Sequence, residues 1–209
     1  MMRLGLVLFV SFLACQAGAV APASAGDAQP PPQGESTGAA TPDPAPPLGR
    51  QQKLDELFAR LAASTDVAET NGLVTAIDRL QLASGSDAGD LLMARAVAAL
   101  GTNNLAIALA LLDKIVILQP EWAEAWNKRA TVRYLMGDDQ QSMADIARVL
   151  VLEPRHFGAL SGMGMILERH GFRDDALRAY RRALEVAPQL TSVREAVDRL
   201  TAAVNGQSL

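Results

Sequence analysis

The sequence predicts an all-α fold, an α-solenoid of three helix-turn-helix repeats with N-terminal helices before it and a C-terminal capping helix after it. Three prolines, Pro120, Pro154 and Pro188, stand 34 residues apart, and a fixed period of this length is typical of a stack of identical helical units. Alanine and leucine dominate the composition, and aromatic residues make up only 4% of it. No run of β-branched residues predicts a strand.

The period divides the chain into three units, 89–122, 123–156 and 157–190, whose residues match in columns. Large residues recur at the fourth and twenty-fourth positions of each unit, and small residues recur at the eighth and twentieth. The columns are Leu92, Trp126 and Leu160; Ala96, Ala130 and Gly164; Ala108, Ser142 and Ala176; Leu112, Ile146 and Tyr180; and Ile115, Val149 and Ala183. This pattern predicts two antiparallel helices per unit, in which small residues allow close approach and large residues fill the space beside them.

Turn residues separate the two helices of each unit. Asn103, Gly137 and Gly171 are aligned, and both residue types tolerate the left-handed conformation that ends a helix. Aspartates suited to cap the second helix follow two of these turns: Asp138, Asp139, Asp174 and Asp175. The prolines are expected to end the second helix, because proline lacks an N–H and restricts the residue before it.

The second unit carries the sequence AEAWNKRA at 123–130, followed by Tyr134, by Gly137 with Asp138, and by Pro154. It resembles the tetratricopeptide repeat (TPR) family, and the resemblance covers about half of the chain. The resemblance implies a concave face, lined by the first helix of each repeat, that binds a protein or peptide. The units depart from the family at the seventh and eleventh positions, where arginines stand in place of some apolar residues: Arg95, Arg129 and Arg133.

Amphipathic helices are expected on both sides of the repeats. Residues 50–64 and about 66–83 have apolar residues at helical spacing, and we interpret 50–88 as a helical hairpin, a degenerate repeat without the proline. Residues 191–209 are predicted to be a capping helix and tail with a polar outer face. We expect this helix to pack on Tyr180 and Leu184.

The first 25 residues have the pattern of a signal peptide. Arg3 precedes an apolar run that is too short to span a bilayer, and Ala23 and Ala25 frame an A-x-A cleavage site, so cleavage after Ala25 is expected. An alternative is processing at Cys15, because the residues before it loosely resemble a bacterial lipoprotein site. Residues 26–49 are rich in proline and are predicted to be a disordered linker.

Charge and composition exclude several functions. The net charge of −4 is the wrong sign for nucleic acid, whose phosphates need a basic face, and offers no electrostatic attraction to anionic lipid. The two histidines, His156 and His170, have no cysteine beside them in the expected mature chain to complete a zinc site, and we interpret them as surface or helix-end residues. No nucleophile or dinucleotide motif is present in a suitable context. The sequence therefore predicts a protein that is not an enzyme and has no metal or cofactor.

The concave face is the candidate binding site. Counted from the repeat starts, the fifth, ninth and twelfth positions are expected to point inward: Met93, Val97 and Leu100; Asn127, Thr131 and Tyr134; and Ser161, Met165 and Glu168. A flexible methionine surface suits an apolar or helical segment of a partner. The apolar set in the first repeat could instead be covered by the helices at 50–84, since such patches are seldom left bare.

Two functional hypotheses follow. The first is a non-enzymatic protein–protein interaction scaffold in the periplasm of a Gram-negative bacterium, which binds a partner segment in the concave groove. The second is a subunit of an outer-membrane assembly, anchored by a lipid on Cys15. Neither hypothesis requires direct membrane insertion after signal cleavage, and a homo-oligomer is possible in both.

Overall fold

The structure is a computed structural model, and it describes residues 49–206. Within this range the chain forms nine helices and no strand: α1 (Arg50–Ala63), α2 (Val67–Gln81), α3 (Asp87–Gly101), α4 (Leu105–Leu118), α5 (Ala123–Leu135), α6 (Asp139–Leu152), α7 (Phe157–Arg169), α8 (Arg173–Val186) and α9 (Thr191–Gly206). The predicted signal peptide, Cys15 and all but the last residue of the predicted linker lie outside the described residues.

The predicted all-α repeat stack is confirmed. The pairs α3–α4, α5–α6 and α7–α8 are antiparallel hairpins, and each second helix packs against the first helix of the next unit, α4 on α5 and α6 on α7. The column residues form the interior: the side chains of the eighth, twentieth, twenty-fourth and twenty-seventh positions that are not glycine are all 3% exposed or less. The repeat columns in the sequence therefore mark the core of the stack.

The turns within the repeats have the conformation that their residues favour. Asn103, Gly137 and Gly171 have φ values of 57°, 80° and 80°, in the left-handed region. Asp138 caps α6 as predicted, accepting a hydrogen bond from the backbone N–H of Gln141 at 3.2 Å. The expectation for α8 was wrong, because Phe172 occupies its N-cap position and the two aspartates lie in the first turn.

The C-terminal helix α9 closes the stack as predicted. Its buried residues Val193, Ala196 and Leu200 form one cluster with Tyr180 of α8, and Leu184 packs against the same cluster. The outward side of α9 is exposed and polar, which keeps the end of a helical stack compatible with water.

The N-terminal hairpin, defined as α1 and α2, forms where it was expected but does not continue the stack in the manner of the other repeats. The connection from α2 to α3, residues 82–86, is one residue longer than the connections between later repeats, 119–122, 153–156 and 187–190. It contains Gly85 with a φ of 85°. The hairpin instead contacts α8 and joins a core cluster with Phe157 and Ala187.

No described helix is long and apolar enough to cross a membrane.

One close contact within the stack leads to a testable prediction. A Cβ atom added to Gly164 would lie 2.5 Å from the nearest ring carbon of Tyr180, and that ring is only 3% exposed. Replacing Gly164 by alanine is therefore expected to lower the free energy of unfolding by about 1–3 kcal/mol, although alanine favours helix over glycine by about 1 kcal/mol. Chemical denaturation followed by circular dichroism measures the difference.

The first repeat supplies the control for this experiment, because it pairs Ala96 with Leu112 at the same two positions. Combining Gly164→Ala with Tyr180→Leu recreates that pair, and we expect the double variant to be more stable than the sum of the two single changes predicts. Additive effects would show that the two side chains do not conflict.

Candidate partner-binding groove

The structure brings four of the nine predicted groove residues together. Asn127, Thr131 and Tyr134 of α5 and Met165 of α7 line one shallow depression between these helices. The depression is open to solvent and is also lined by Gly158, Ala159 and Gly162. These residues have little or no side chain, so the surface of α7 is recessed here. We call this depression the groove.

The first repeat does not contribute to the groove as predicted. Met93 is only 2% exposed and packs in a core cluster with residues of α4 and α5, so the expectation that it faces a partner was wrong. Leu100 is half-buried against the same cluster. Residues 50–84 cover this apolar set only in part: Leu82 packs against the cluster that contains Met93, but Val97 is 38% exposed.

The remaining predicted residues are committed to contacts within the chain. Ser161 donates a hydrogen bond from Oγ to the carbonyl of Phe157 at 2.7 Å. Glu168 accepts one from the Tyr180 hydroxyl at 3.1 Å and pairs with Arg199 at 2.9 Å. Glu168 therefore ties α7 to α8 and α9.

The polar groups on the groove floor are also satisfied internally. Asn127 donates from Nδ2 to a carboxylate oxygen of Glu124 at 3.0 Å, and the Thr131 hydroxyl donates to the carbonyl of Asn127 at 3.0 Å. The walls are formed by Tyr134 and by Met165, and the guanidinium of Arg169 lies 4.1 Å from the centre of the Tyr134 ring. This surface suits an apolar segment better than a charged one, because its hydrogen-bonding groups are largely occupied.

A buried charged network lies beside the groove at the start of α5. Glu124, 3% exposed, binds the ammonium of Lys128 at 2.8 Å and Nε2 of His156 at 3.0 Å. Burial alone would raise the pKa of Glu124, but the charge of Lys128 and the hydrogen bond from His156 hold that pKa well below its usual range. Burial likewise opposes the charge on Lys128, and the neighbouring Glu124 more than offsets it, so the pKa of Lys128 is raised.

His156 joins this network to the start of α7. It is the N-cap of α7, and its Nδ1 atom accepts a hydrogen bond from the backbone N–H of Ala159 at 3.1 Å. Because Nδ1 is an acceptor, the ring proton is assigned to Nε2, which donates it to Glu124. His156 is a helix-end residue as expected, but it is buried and connects two repeats.

The N-terminal hairpin borders the same region. The ring of Phe58 meets that of Phe157 edge to face at 6.5 Å, and Arg155 lies 4.4 Å from the centre of the Phe58 ring while pairing with Asp55 at 2.8 Å. The indole N–H of Trp122 donates to the carbonyl of Gln81 at 2.7 Å. The hairpin thus covers the connections between repeats at the N-terminal ends of α5 and α7.

Asp78 of α2 is the titratable group of the hairpin that faces the buried network. Burial raises the pKa of this carboxyl to about 6, with a further contribution from Glu124, against the opposing charge of Lys128. The folded-state pKa lies above the unfolded value, so the folded protein binds this proton more tightly. The contribution of Asp78 to the free energy of unfolding is therefore at its maximum below about pH 4, and it is lost as the pH rises through about 6.

Replacing Asp78 by asparagine is therefore expected to raise the free energy of unfolding above pH 7 by about 1–3 kcal/mol. Asparagine keeps the shape of the protonated acid and removes the buried charge. Urea denaturation across a pH series measures the effect, and the difference between the two proteins should disappear near pH 4. Asp66→Asn cannot serve as a control because Asp66 caps α2; Asp87→Asn is exposed and is the matched control. A difference that does not depend on pH would contradict the assignment.

Part of this site could be recognised in the sequence and part could not. Asn127, Thr131, Tyr134 and Met165 were found by repeat position. Glu124 and Lys128 are four residues apart on one helix, a spacing that predicts a pair but not its burial. His156 is 32 residues from Glu124 in the sequence, and no pattern connected them.

The comparison with known sequences decides the family. Over 156 residues the chain is 38% identical to a TPR repeat-containing protein of Rhizobium etli, a match that covers 75% of this chain and 76% of the relative. The chain belongs to the TPR family. No family model matches it, although its repeat positions form the expected core.

Solved TPR structures resemble this TPR protein in fold. The TPR domain of Arabidopsis OM64 matches with a TM-score of 0.53 and 20% identity over 55% of this chain and 94% of that domain. The first TPR of Spaghetti (RPAP3), bound to the HSP90 peptide SRMEEVD, matches with a TM-score of 0.54 and 15% identity over 56% and 93%. The TPR domain of Sgt2 from Aspergillus fumigatus matches with a TM-score of 0.54 and 16% identity over 59% and 83%.

Within residues 49–206, no group of three or more histidine, cysteine, aspartate or glutamate side chains is placed to hold a metal ion.

Proposed function

We propose that this TPR protein is a non-enzymatic interaction scaffold that binds an apolar segment of a partner protein in the groove between α5 and α7. The groove carries the proposal, because it combines a recessed glycine surface with the exposed parts of Tyr134 and Met165. Methionine and aromatic side chains are common where a protein grips an apolar segment. A related fold, that of RPAP3, was solved with a bound peptide, which supports a peptide as the occupant.

The groove is poorly suited to a strongly acidic peptide. Asn127, the groove amide that could grip a carboxylate, already donates to Glu124. Arg169, whose guanidinium lies over the Tyr134 ring, forms an ion pair with Asp139. We therefore propose an uncharged or weakly charged, apolar segment as the ligand.

Affinity capture from envelope extracts tests the groove. Capture by the wild-type protein is compared with capture by Tyr134→Ala and Met165→Glu, and the expected result is that one protein is recovered by the wild type and lost from both variants. Met136→Glu is the matched control, because Met136 lies at the end of α5, is 50% exposed and does not line the groove. Equal capture by all four proteins would show that the groove is the wrong surface.

We further propose that the protein acts in the periplasm after cleavage behind Ala25. The arrangement of Arg3, the apolar run and the A-x-A site in the sequence supports export. The second candidate is an outer-membrane lipoprotein anchored at Cys15. Mass spectrometry of the mature protein separates the two, since an N-terminus at Gly26 supports the periplasmic form and a lipid-modified Cys15 supports the anchored form.

A further inference from the structure

The two ends of the helical stack differ in chemistry. At the C-terminal end, α9 covers α8 and presents exposed charged residues outward, among them Glu195, Asp198 and Arg199. At the other end, α3 and α4 present apolar residues, with Leu91 54% exposed and Ile107 51% exposed. The N-terminal end of a stack in water ordinarily carries a polar surface.

The later repeats show what normally covers this surface. Leu91 shares its repeat position with Ala125 and Ala159, which are 0% and 1% exposed. Ala98 shares its position with Val132 and Ile166, which are 0% and 3% exposed. In those repeats the positions are buried by the second helix of the preceding unit, as the shared core clusters show.

The second helix of the first repeat is also more apolar on this side than the second helices of the later repeats. Ile107 corresponds to Gln141 and Asp175, and Leu111 corresponds to Asp145 and Ala179. We define the end face as Leu91, Ala94, Ala98, Ile107 and Leu111. Asp87 and Arg95 of α3 and Lys114 of α4 are exposed charged residues of this hairpin.

We propose that the end face is the interface of a homodimer, in which two copies of this chain pack their α3–α4 hairpins together about a two-fold axis. With the axis parallel to the helices, α4 of one copy lies antiparallel on α3 of the other, as α4 lies on α5 within one chain. The large Ile107 and Leu111 of each copy then meet the small Ala94 and Ala98 of its partner. The face is therefore self-complementary, as a two-fold interface requires.

The structure favours a second copy over unlimited stacking of chains. A head-to-tail contact would need an open C-terminal end, and α9 closes that end. Helices of this length, about 22 Å long and side by side about 10 Å apart, form a face of roughly 400 Å² per copy. This is about half of the area in a standard stable interface, so the dimer is expected to dissociate in the micromolar range.

Sedimentation equilibrium of the full chain tests the proposal. Between about 1 µM and about 200 µM the wild-type protein is expected to change from monomer to dimer, and the variant with both Leu91→Glu and Ile107→Glu is expected to stay monomeric. Val151→Glu is the matched control, since Val151 is 71% exposed on α6 and lies outside the end face. Circular dichroism confirms that each variant is folded. If the wild-type protein stays monomeric at the highest concentration, the proposal is overturned. The end face would then be available to a helix of another protein.

Crosslinking tests the packing of the dimer independently of its stability. The antiparallel arrangement brings Ala98 of one copy to the level of Ile107 in the other, and both positions are exposed. In a Cys15→Ser background, which removes the one native cysteine, Ala98→Cys and Ile107→Cys chains are prepared separately and oxidised alone or mixed. The mixture is expected to give several-fold more disulfide-linked dimer than either chain alone. Equal yields, or a dimer that persists in the double glutamate variant, would overturn the proposed interface.

Discussion

Replacing Lys128 by methionine is expected to lower the free energy of unfolding by about 3–5 kcal/mol near neutral pH. Lys128 is the cation closest to the carboxylate of Glu124, which is 3% exposed, and its removal leaves that charge buried without a full counter-ion. Asp78 lies close enough to repel Glu124 further. The loss should shrink as the pH falls, because protonation of these carboxyls then relieves the buried charge.

Urea denaturation measures this effect, with Lys53→Met as the control because Lys53 is exposed on α1 and its removal should change stability little. The double variant with Glu124→Gln and Lys128→Met removes both charges. It is expected to be less destabilised than the sum of the two single variants, since neither partner is left charged and unpaired. A full additive loss would mean that the two groups do not interact.

Replacing Phe58 by alanine is expected to lower the free energy of unfolding by about 3–5 kcal/mol and to release the N-terminal hairpin from the stack. Phe58 is 3% exposed, and its ring contacts Phe157 and lies beneath the guanidinium of Arg155. It therefore links α1 to the repeats through both an aromatic and a cation–π contact. Phe172→Ala is the matched control, because Phe172 is 58% exposed and should contribute little.

Fluorescence reports the fate of the hairpin in this variant. In a Trp126→Phe background, Trp122 is the remaining tryptophan, and its indole is 7% exposed and bonded to Gln81 of the hairpin. Loss of docking is expected to shift its emission to longer wavelength before the stack itself unfolds. A single transition with an unchanged midpoint and unchanged emission would contradict a docking role for Phe58.

The repeats could be predicted from the sequence because their determinants are local and periodic. Helix ends followed from turn residues such as Gly137 and from Pro120, and the buried columns followed from residue size at fixed spacing. Inward-facing residues were less well predicted: Met93, for example, has the right position for the concave face but packs in the core. The same position is buried in the second repeat, where Asn127 is 6% exposed, so repeat counting identifies the side of the helix but not how deeply a side chain is buried.

The position of the hairpin was not predictable in the same way. It contacts Phe157 and Ala187, which are distant in sequence and linked to the hairpin by no repeat pattern. The longer connection at Gly85 did not indicate on which side of the stack the hairpin would pack. The structure explains two of the arginines that stand at repeat positions where the family usually has apolar residues. Arg129 and Arg133 both bind the buried Asp145, at 2.7 and 2.8 Å, so an ionic cluster replaces apolar packing there.

The contact of α1 with α8 has a consequence for the order in which the chain folds. Most helices pack on their neighbours in sequence, and such local contacts form early, before long loops have to close. The docking surface of α1 includes Phe157 and Ala187, which lie far from Phe58 in the sequence. The apolar stripe of Leu54, Phe58 and Leu61 is therefore covered only after α7 and α8 have formed, so α1, the first helix within residues 49–206, docks later than the repeats that it covers.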